Sequence, residues 1–142
     1  MKFRRRMIPA AILFLTSFNS AAFAETLLFG GKNHDTFLGC LDCNKFDTDS
    51  ICNKFGKGSA FNSDSIFNSF GNFGSSFSSS SPWNKFSSDE SVPVLVDKSG
   101  SFYGYFTINS FRSDAVSFSK NLSSIYENSK GDLEVVQNFI CN

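Results

Sequence analysis

Histidine occurs once in the 142-residue chain, tryptophan once and proline three times. A single imidazole, His34 in "GGKNHD", excludes a histidine-rich metal centre. No G-x-S-x-G elbow is present, so His34, Asp35 and the abundant serines spell a catalytic triad in composition only. His34 therefore reads as a loop residue. "FGGKN" lacks the remaining residues of a phosphate-binding loop, and Asp42, Asp47 and Asp49 do not have the spacing of a full calcium loop. No catalytic, cofactor or metal site is expected.

Basic residues are also scarce after the start of the chain. Lys2, Arg4, Arg5 and Arg6 lie in the first 24 residues, and the remaining 118 carry 9 basic and 13 acidic groups, a formal charge of −4. Nucleic-acid binding needs clustered Lys and Arg, so this balance argues against it. Beyond the first two dozen residues no apolar run is long enough to cross a bilayer. Those first residues read as a secretory signal: cationic "MKFRRR", apolar "MIPAAILFL", and Ala22-Phe23-Ala24 as a small-x-small cleavage site. The expected division is a signal peptide over 1–24 and one exported domain over 25–142, periplasmic or secreted, with no transmembrane segment after cleavage.

Four cysteines lie beyond the signal: Cys40, Cys43, Cys52 and Cys141. An even count in an oxidising compartment predicts two disulfides, with three possible connectivities. "CLDC" is a C-x-x-C pair, but no strand–helix alternation surrounds it as in a redox site. The other two cysteines match no common zinc spacing.

Aromatics are plentiful, at 16% of the chain with 19 phenylalanines. They fall in a repeat over 37–88. "CNKF" at 43–46 and 52–55, "FNSF" at 67–70 and "WNKF" at 83–86 line up, and "SICNKFGKGSAFNSD" aligns with "SIFNSFGNFGSSFSSS" with one insertion. Such phasing argues for order rather than for a loose low-complexity tract. Asn53, Asn68 and Asn84 suit turns, and Gly56 and Gly71 suit positive φ. Phe55, Phe61, Phe70, Phe77 and Phe86 are expected to point inward, each ring contributing about 2 kcal/mol when buried. Short strands and turns are expected, since no helical period runs through the segment. Cys43, Cys52, Phe67 and Trp83 share one slot of the repeat. Stacked copies would then pair Cys43 with Cys52, leaving Cys40 for Cys141, and a Cys40–Cys43 link would contradict that arrangement.

"VPVLVDKSGSFYGYFTI" predicts a β-hairpin within 92–109, turning at Asp97-Lys98-Ser99-Gly100. Alternation places Tyr103 and Tyr105 on one face and Phe102, Phe106 and Ile108 on the other. The density of rings favours two covered faces over a ligand-facing one. The tail 113–142 predicts two short helices, broken at Gly131 and restarted by Asp132 as N-cap. Leu122, Ile125 and Tyr126 form one apolar face, and Leu133, Val136, Phe139 and Ile140 the other. The fold class is α+β: a small β/turn repeat region, a β-hairpin, then a short C-terminal helical pair.

From "FLGCLDCNKFDTDSICNKFG" through "SPWNKF" to "VLVDKSGSFYGYFTIN", the chain resembles a family of small, uncharacterised exported bacterial proteins. Their repeats read N-x-[FY]-G-x-[FY]-G-S-x-[FY]-S and precede a D-x-x-G-x-[FY]-Y-G hairpin. The likeness covers residues 37–109, with Phe in place of the commoner Tyr and Lys57-Gly58 breaking one copy. It implies bacterial export and a shared fold, and it assigns no catalytic residue.

Function then reads as a non-catalytic exported binding or interaction protein of the envelope. Its partner is an envelope glycan or protein, with Trp83, Tyr103 and Tyr105 as candidate ligand-facing rings. The alternatives are a self-assembling extracellular matrix protein, drawing on stacked Phe, Ser, Asn and Gly repeats, and an accessory hydrolase around His34.

Overall fold

The computed structural model describes residues 25–142, so the expected signal segment 1–24 lies outside the described residues. Within them the chain is α+β, with a four-stranded antiparallel sheet and two C-terminal helices. Strand β1 (Thr26–Gly30) pairs with β2 (Thr36–Cys40) on one side and with β3 (Val94–Asp97) on the other; β4 (Phe102–Tyr105) completes the order β2-β1-β3-β4. The β3–β4 hairpin lies where the sequence placed it. Strands β1 and β2 were not anticipated, although "TLLFGGKNHDTFLGC" is two apolar runs around a Gly-rich turn.

Between β2 and β3 the backbone is a continuous series of turns. From Asn44 to Ser87 the amide of each triplet's first residue donates to the carbonyl of the residue three before it, for example Asp47 to Asn44 at 2.9 Å and Asn68 to Ser65 at 3.2 Å. The residue that opens each triplet is Asn, Asp, Ser or Gly. Its side-chain oxygen usually accepts the amide two residues on: Asn44 from Phe46 at 2.9 Å, Ser50 from Cys52 at 3.1 Å, Asn68 from Phe70 at 3.1 Å and Ser81 from Trp83 at 3.1 Å. These are Asx and ST turns, which tie the backbone locally without a sheet ladder.

Five triplets make one coil. The coils run 44–58, 59–73 and 75–89, with Gly74 as the inserted residue that makes the second step 16 instead of 15. Gly71 accepts from both Gly74 and Ser75, at 3.2 and 2.9 Å, and so absorbs the insertion. The third triplet of each coil packs into the core: Ser50-Ile51-Cys52, Ser65-Ile66-Phe67 and Ser81-Pro82-Trp83, joined in the second coil by Phe73. Phe67 and Trp83, one coil apart, have ring centroids 6.1 Å from each other.

Gly56 and Gly71 do not have the positive φ that the sequence suggested. They are glycine for lack of room: a Cβ on Gly56 would stand 2.2 Å from the Thr48 carbonyl oxygen, and one on Gly71 2.9 Å from that of Ser63.

Trp83 is the centre of the core. It stacks on Tyr126 at 5.7 Å and 6°, meets Phe106 edge-on at 6.1 Å, and its indole N–H donates to the Ile66 carbonyl. Helices α1 (Ser119–Asn128) and α2 (Leu133–Cys141) close over the coils. Asp132 caps α2 as expected, accepting from Glu134 and Val135 at 3.0 and 3.3 Å. Leu122, Leu133 and Val136 are buried, with Ile125, Tyr126 and Ile140 packed against them. Phe139 departs from the expected face and is 69% exposed. From α2, Gln137 donates to the carbonyls of Ile51 and Gly58, both at 2.8 Å, fixing the helix to the first coil.

Candidate functional site

The rings expected to form the core are instead exposed large apolar side chains. Phe55, Phe61, Phe70 and Phe77 are 95–99% exposed, Phe86 83%, and Phe46, also in the repeat, 79%. The inward assignment of Phe55, Phe61, Phe70, Phe77 and Phe86 is therefore reversed. The reason is the triplet geometry. A triplet with Ile or Pro at its middle position (Ser-Ile-Cys, Ser-Ile-Phe, Ser-Pro-Trp) turns to the core, whereas one with Lys, Ala or Ser there (Asn-Lys-Phe, Ser-Ala-Phe, Asn-Ser-Phe, Ser-Ser-Phe) turns to solvent; Gly71-Asn72-Phe73 departs from this pattern, its ring buried in the core.

The exposed rings fall in two rows. Phe46, Phe61 and Phe77 close the first triplet of the three coils, and Phe55, Phe70 and Phe86 close the fourth. The same turn chemistry recurs after β4, where Asn109 accepts from the Phe111 amide at 3.3 Å and Phe111 is 97% exposed. Lysines sit beside several rings: Lys45 Nζ is 5.6 Å from the Phe46 centroid and Lys85 Nζ 5.2 Å from that of Phe86.

The three rings first singled out for a ligand have other roles. Trp83, only 1% exposed, is a core residue and not ligand-facing. Tyr103 is half exposed, and its hydroxyl donates to Asp97 Oδ2 at 2.9 Å. That bond raises the Tyr103 pKa. Asp97 also accepts from the Ser99 hydroxyl and amide at 2.6 and 2.9 Å and the Ser101 amide at 3.0 Å. These bonds, the Ser99 hydroxyl foremost, pull its carboxyl down to about 2. The pair therefore builds the hairpin turn.

Tyr105 does not share a face with Tyr103. A bulge between Leu95 and Val96 sets Val96 opposite Phe102 and Leu95 opposite Gly104, leaving Tyr103 unpaired. Phe102 and Tyr105 consequently meet edge-on at 6.0 Å.

Tyr105, Phe102, Phe29 and Val96 line a shallow groove on the sheet, with His34 at its edge. The His34 ring lies 5.6 Å from Tyr105, and its Nε2–H donates to the Glu90 carbonyl at 2.5 Å. Arg112 covers Tyr105, with Cζ 3.3 Å from the ring centroid, while its Nε donates to Asp114 at 2.6 Å and Nη1 to the Glu-preceding Asp89 carbonyl at 2.9 Å. The guanidinium is thus held in place by the structure. Among the described residues no serine hydroxyl or carboxylate is hydrogen-bonded to the His34 ring, and no three His, Cys, Asp or Glu side chains converge as a metal site.

The cysteines correct the expected pairing. Cys52 is bonded to Cys141, across 89 residues, and Cys40 and Cys43 are free, so neither Cys43–Cys52 nor Cys40–Cys141 forms. Cys43 precedes the first coil and does not share the slot of Cys52, Phe67 and Trp83. Cys141 reaches Cys52 because α2 packs against the first coil, where Gln137 also bonds the Ile51 and Gly58 carbonyls. Cys40 ends β2 and is buried, and the Cys43 amide donates to its sulfur at 3.0 Å. Burial, with the Cys43 thiol's hydrogen bond adding to it, pushes the Cys40 thiol up to about 12. Asp42, once weighed for calcium, accepts from the Thr26 amide at 2.8 Å, and Asp47 from that of Asp49 at 3.0 Å.

No family model, curated protein or solved structure matches the chain.

Proposed function

We propose that the chain is an exported, non-catalytic binding protein whose working surface is the two phenylalanine rows. The observation that carries this reading is the outward projection of seven rings, Phe46, Phe55, Phe61, Phe70, Phe77, Phe86 and Phe111, from a backbone that satisfies its own hydrogen bonds. Monomeric soluble proteins seldom expose apolar area on this scale without a partner, and contiguous patches above a few hundred Å² mark interaction sites. The rings contribute little to folding, so their chemistry is available for binding. The phased repeat and hairpin support membership in a family of small exported bacterial proteins. The N-terminal segment supports cleavage after Ala24 and a periplasmic or secreted location.

The experiment compares the oxidised 25–142 chain with its Phe55→Ser/Phe70→Ser/Phe86→Ser variant for sedimentation with isolated bacterial envelopes. The reading expects saturable binding by the first and at least a tenfold loss in the second, about what removing one well-buried ring would cost. Equal binding by the two, or none by either, would overturn it. Amino-terminal sequencing of the exported protein should begin at Glu25.

A further inference from the structure

We infer that the phenylalanine rows seat the protein on a bilayer surface bearing anionic headgroups, an assignment that rests on the rows being the binding surface. The rings would enter the acyl boundary and the neighbouring lysines would face the headgroups.

Charge is distributed in favour of that occupant. The seven triplets that close on an exposed Phe contain Lys45, Lys54 and Lys85 and no acidic residue. Asp47, Asp49, Asp64 and Asp89 all fall in the other triplets, although residues 25–142 are acidic as a whole. Lys54 Nζ also lies 3.3 Å from Glu134, with both side chains solvent-exposed, a pair that a headgroup phosphate can readily exchange. Lys45 and Lys85 lie alongside the rings of Phe46 and Phe86. A cation beside an apolar ring is the arrangement that the headgroup–acyl boundary favours.

The polar atoms of the rows argue against a sugar. Asn53, Asn68 and Asn84 accept the Phe55, Phe70 and Phe86 amides at 2.9, 3.1 and 3.1 Å. Their Nδ2 groups donate to backbone carbonyls, of Asp47, Asn62 and Ser78, each at 3.1 Å. These amides are consumed by the turns, and Glu134, the carboxylate beside Lys54 and Phe61, is paired with Lys54 at 3.3 Å. A second copy fits less well, because abutting equivalent rows would bring lysine to lysine, and Glu134, the carboxylate beside Lys54, is already paired with it.

Co-sedimentation of the oxidised 25–142 chain with phosphatidylglycerol-containing vesicles and with pure phosphatidylcholine vesicles tests the assignment. Binding to the first is expected, weakened by salt and with little to the second. Phe55→Ser/Phe70→Ser/Phe86→Ser should lower it roughly a hundredfold, and Lys45→Gln/Lys85→Gln roughly tenfold on the anionic vesicles alone. Ser80, which closes the triplet 78–80, shows that serine can end such a turn, and circular dichroism confirms that each variant is folded. Retained envelope binding with no vesicle binding would overturn the lipid assignment and leave the rows as the binding surface. Concentration-dependent oligomers without vesicle binding would point to a second copy instead. Vesicle binding that survives loss of the rings would overturn both readings.

Discussion

Cys52, in the buried triplet of the first coil, is bonded to Cys141 in the last turn of α2, with Cα atoms 5.5 Å apart. The bond clasps the final helix to the start of the turn series. Gln137, one helical turn earlier, bonds the carbonyls of the same coil.

Loss of that clasp should be costly. Cys141→Ser, or reduction, is expected to destabilise the chain by about 2–5 kcal/mol, the usual range for a native disulfide closing a long loop. Urea unfolding of the oxidised and reduced forms measures it, and equal midpoints would show that the bond is dispensable.

Within a triplet, the turn residue should matter more than the ring. Asn68→Ala removes both an acceptor for Phe70 and a donor to Asn62, and is expected to cost about 1–3 kcal/mol. Asn68→Asp keeps only the acceptor and should fall between Ala and wild type. If Asn68→Ala unfolds at the wild-type urea concentration, the side-chain turns do not hold the coil.

Cys40 and Cys43 should differ in reactivity. The buried Cys40 thiol, pushed up to about 12, stays protonated near pH 8. A maleimide at that pH is expected to label the half-buried Cys43 and spare Cys40 in the folded, oxidised protein. Mass spectrometry of the peptides decides it, and a linked Cys40–Cys43 pair would contradict the arrangement.

Asp97 should make stability fall in acid. Its folded pKa of about 2 lies below the ordinary 3.8, so its contribution is fully present above pH 4 and is lost as the pH drops towards 2. Thermal midpoints between pH 2 and 6 should decline less steeply for Asp97→Asn than for wild type. Identical slopes would remove Asp97 from the acid response.

The sequence made the hairpin, both helices and the Asp132 cap legible because each depends on local chemistry: a Lys-Ser-Gly turn, a helical apolar spacing, a capping carboxylate. The 15- and 16-residue steps of the repeat were legible too. The three-residue period inside them was not, because serine is so frequent that every register contains turn formers. Without that period, hydrophobicity alone places the rings inward. The distinguishing signal lay in the middle residue of most triplets: Ile51, Ile66 and Pro82 go inward with their neighbours, whereas Lys54, Ala60, Ser69 and Lys85 accompany rings that go outward, with Phe73, buried behind Asn72, departing from it. The cysteine pairing was hidden for a different reason. It depends on α2 packing against the first coil, a long-range contact that no spacing records.

The central claim is that the two rows of rings lie outside the core, and the stability of a row variant tests it most directly. Phe55→Ser/Phe70→Ser/Phe86→Ser should unfold in urea within about 1.5 kcal/mol of wild type, as surface substitutions do, whereas Phe67→Ser alone should cost about 3 kcal/mol or more. A row variant that is unfolded, or destabilised by several kcal/mol beyond Phe67→Ser, would contradict the account.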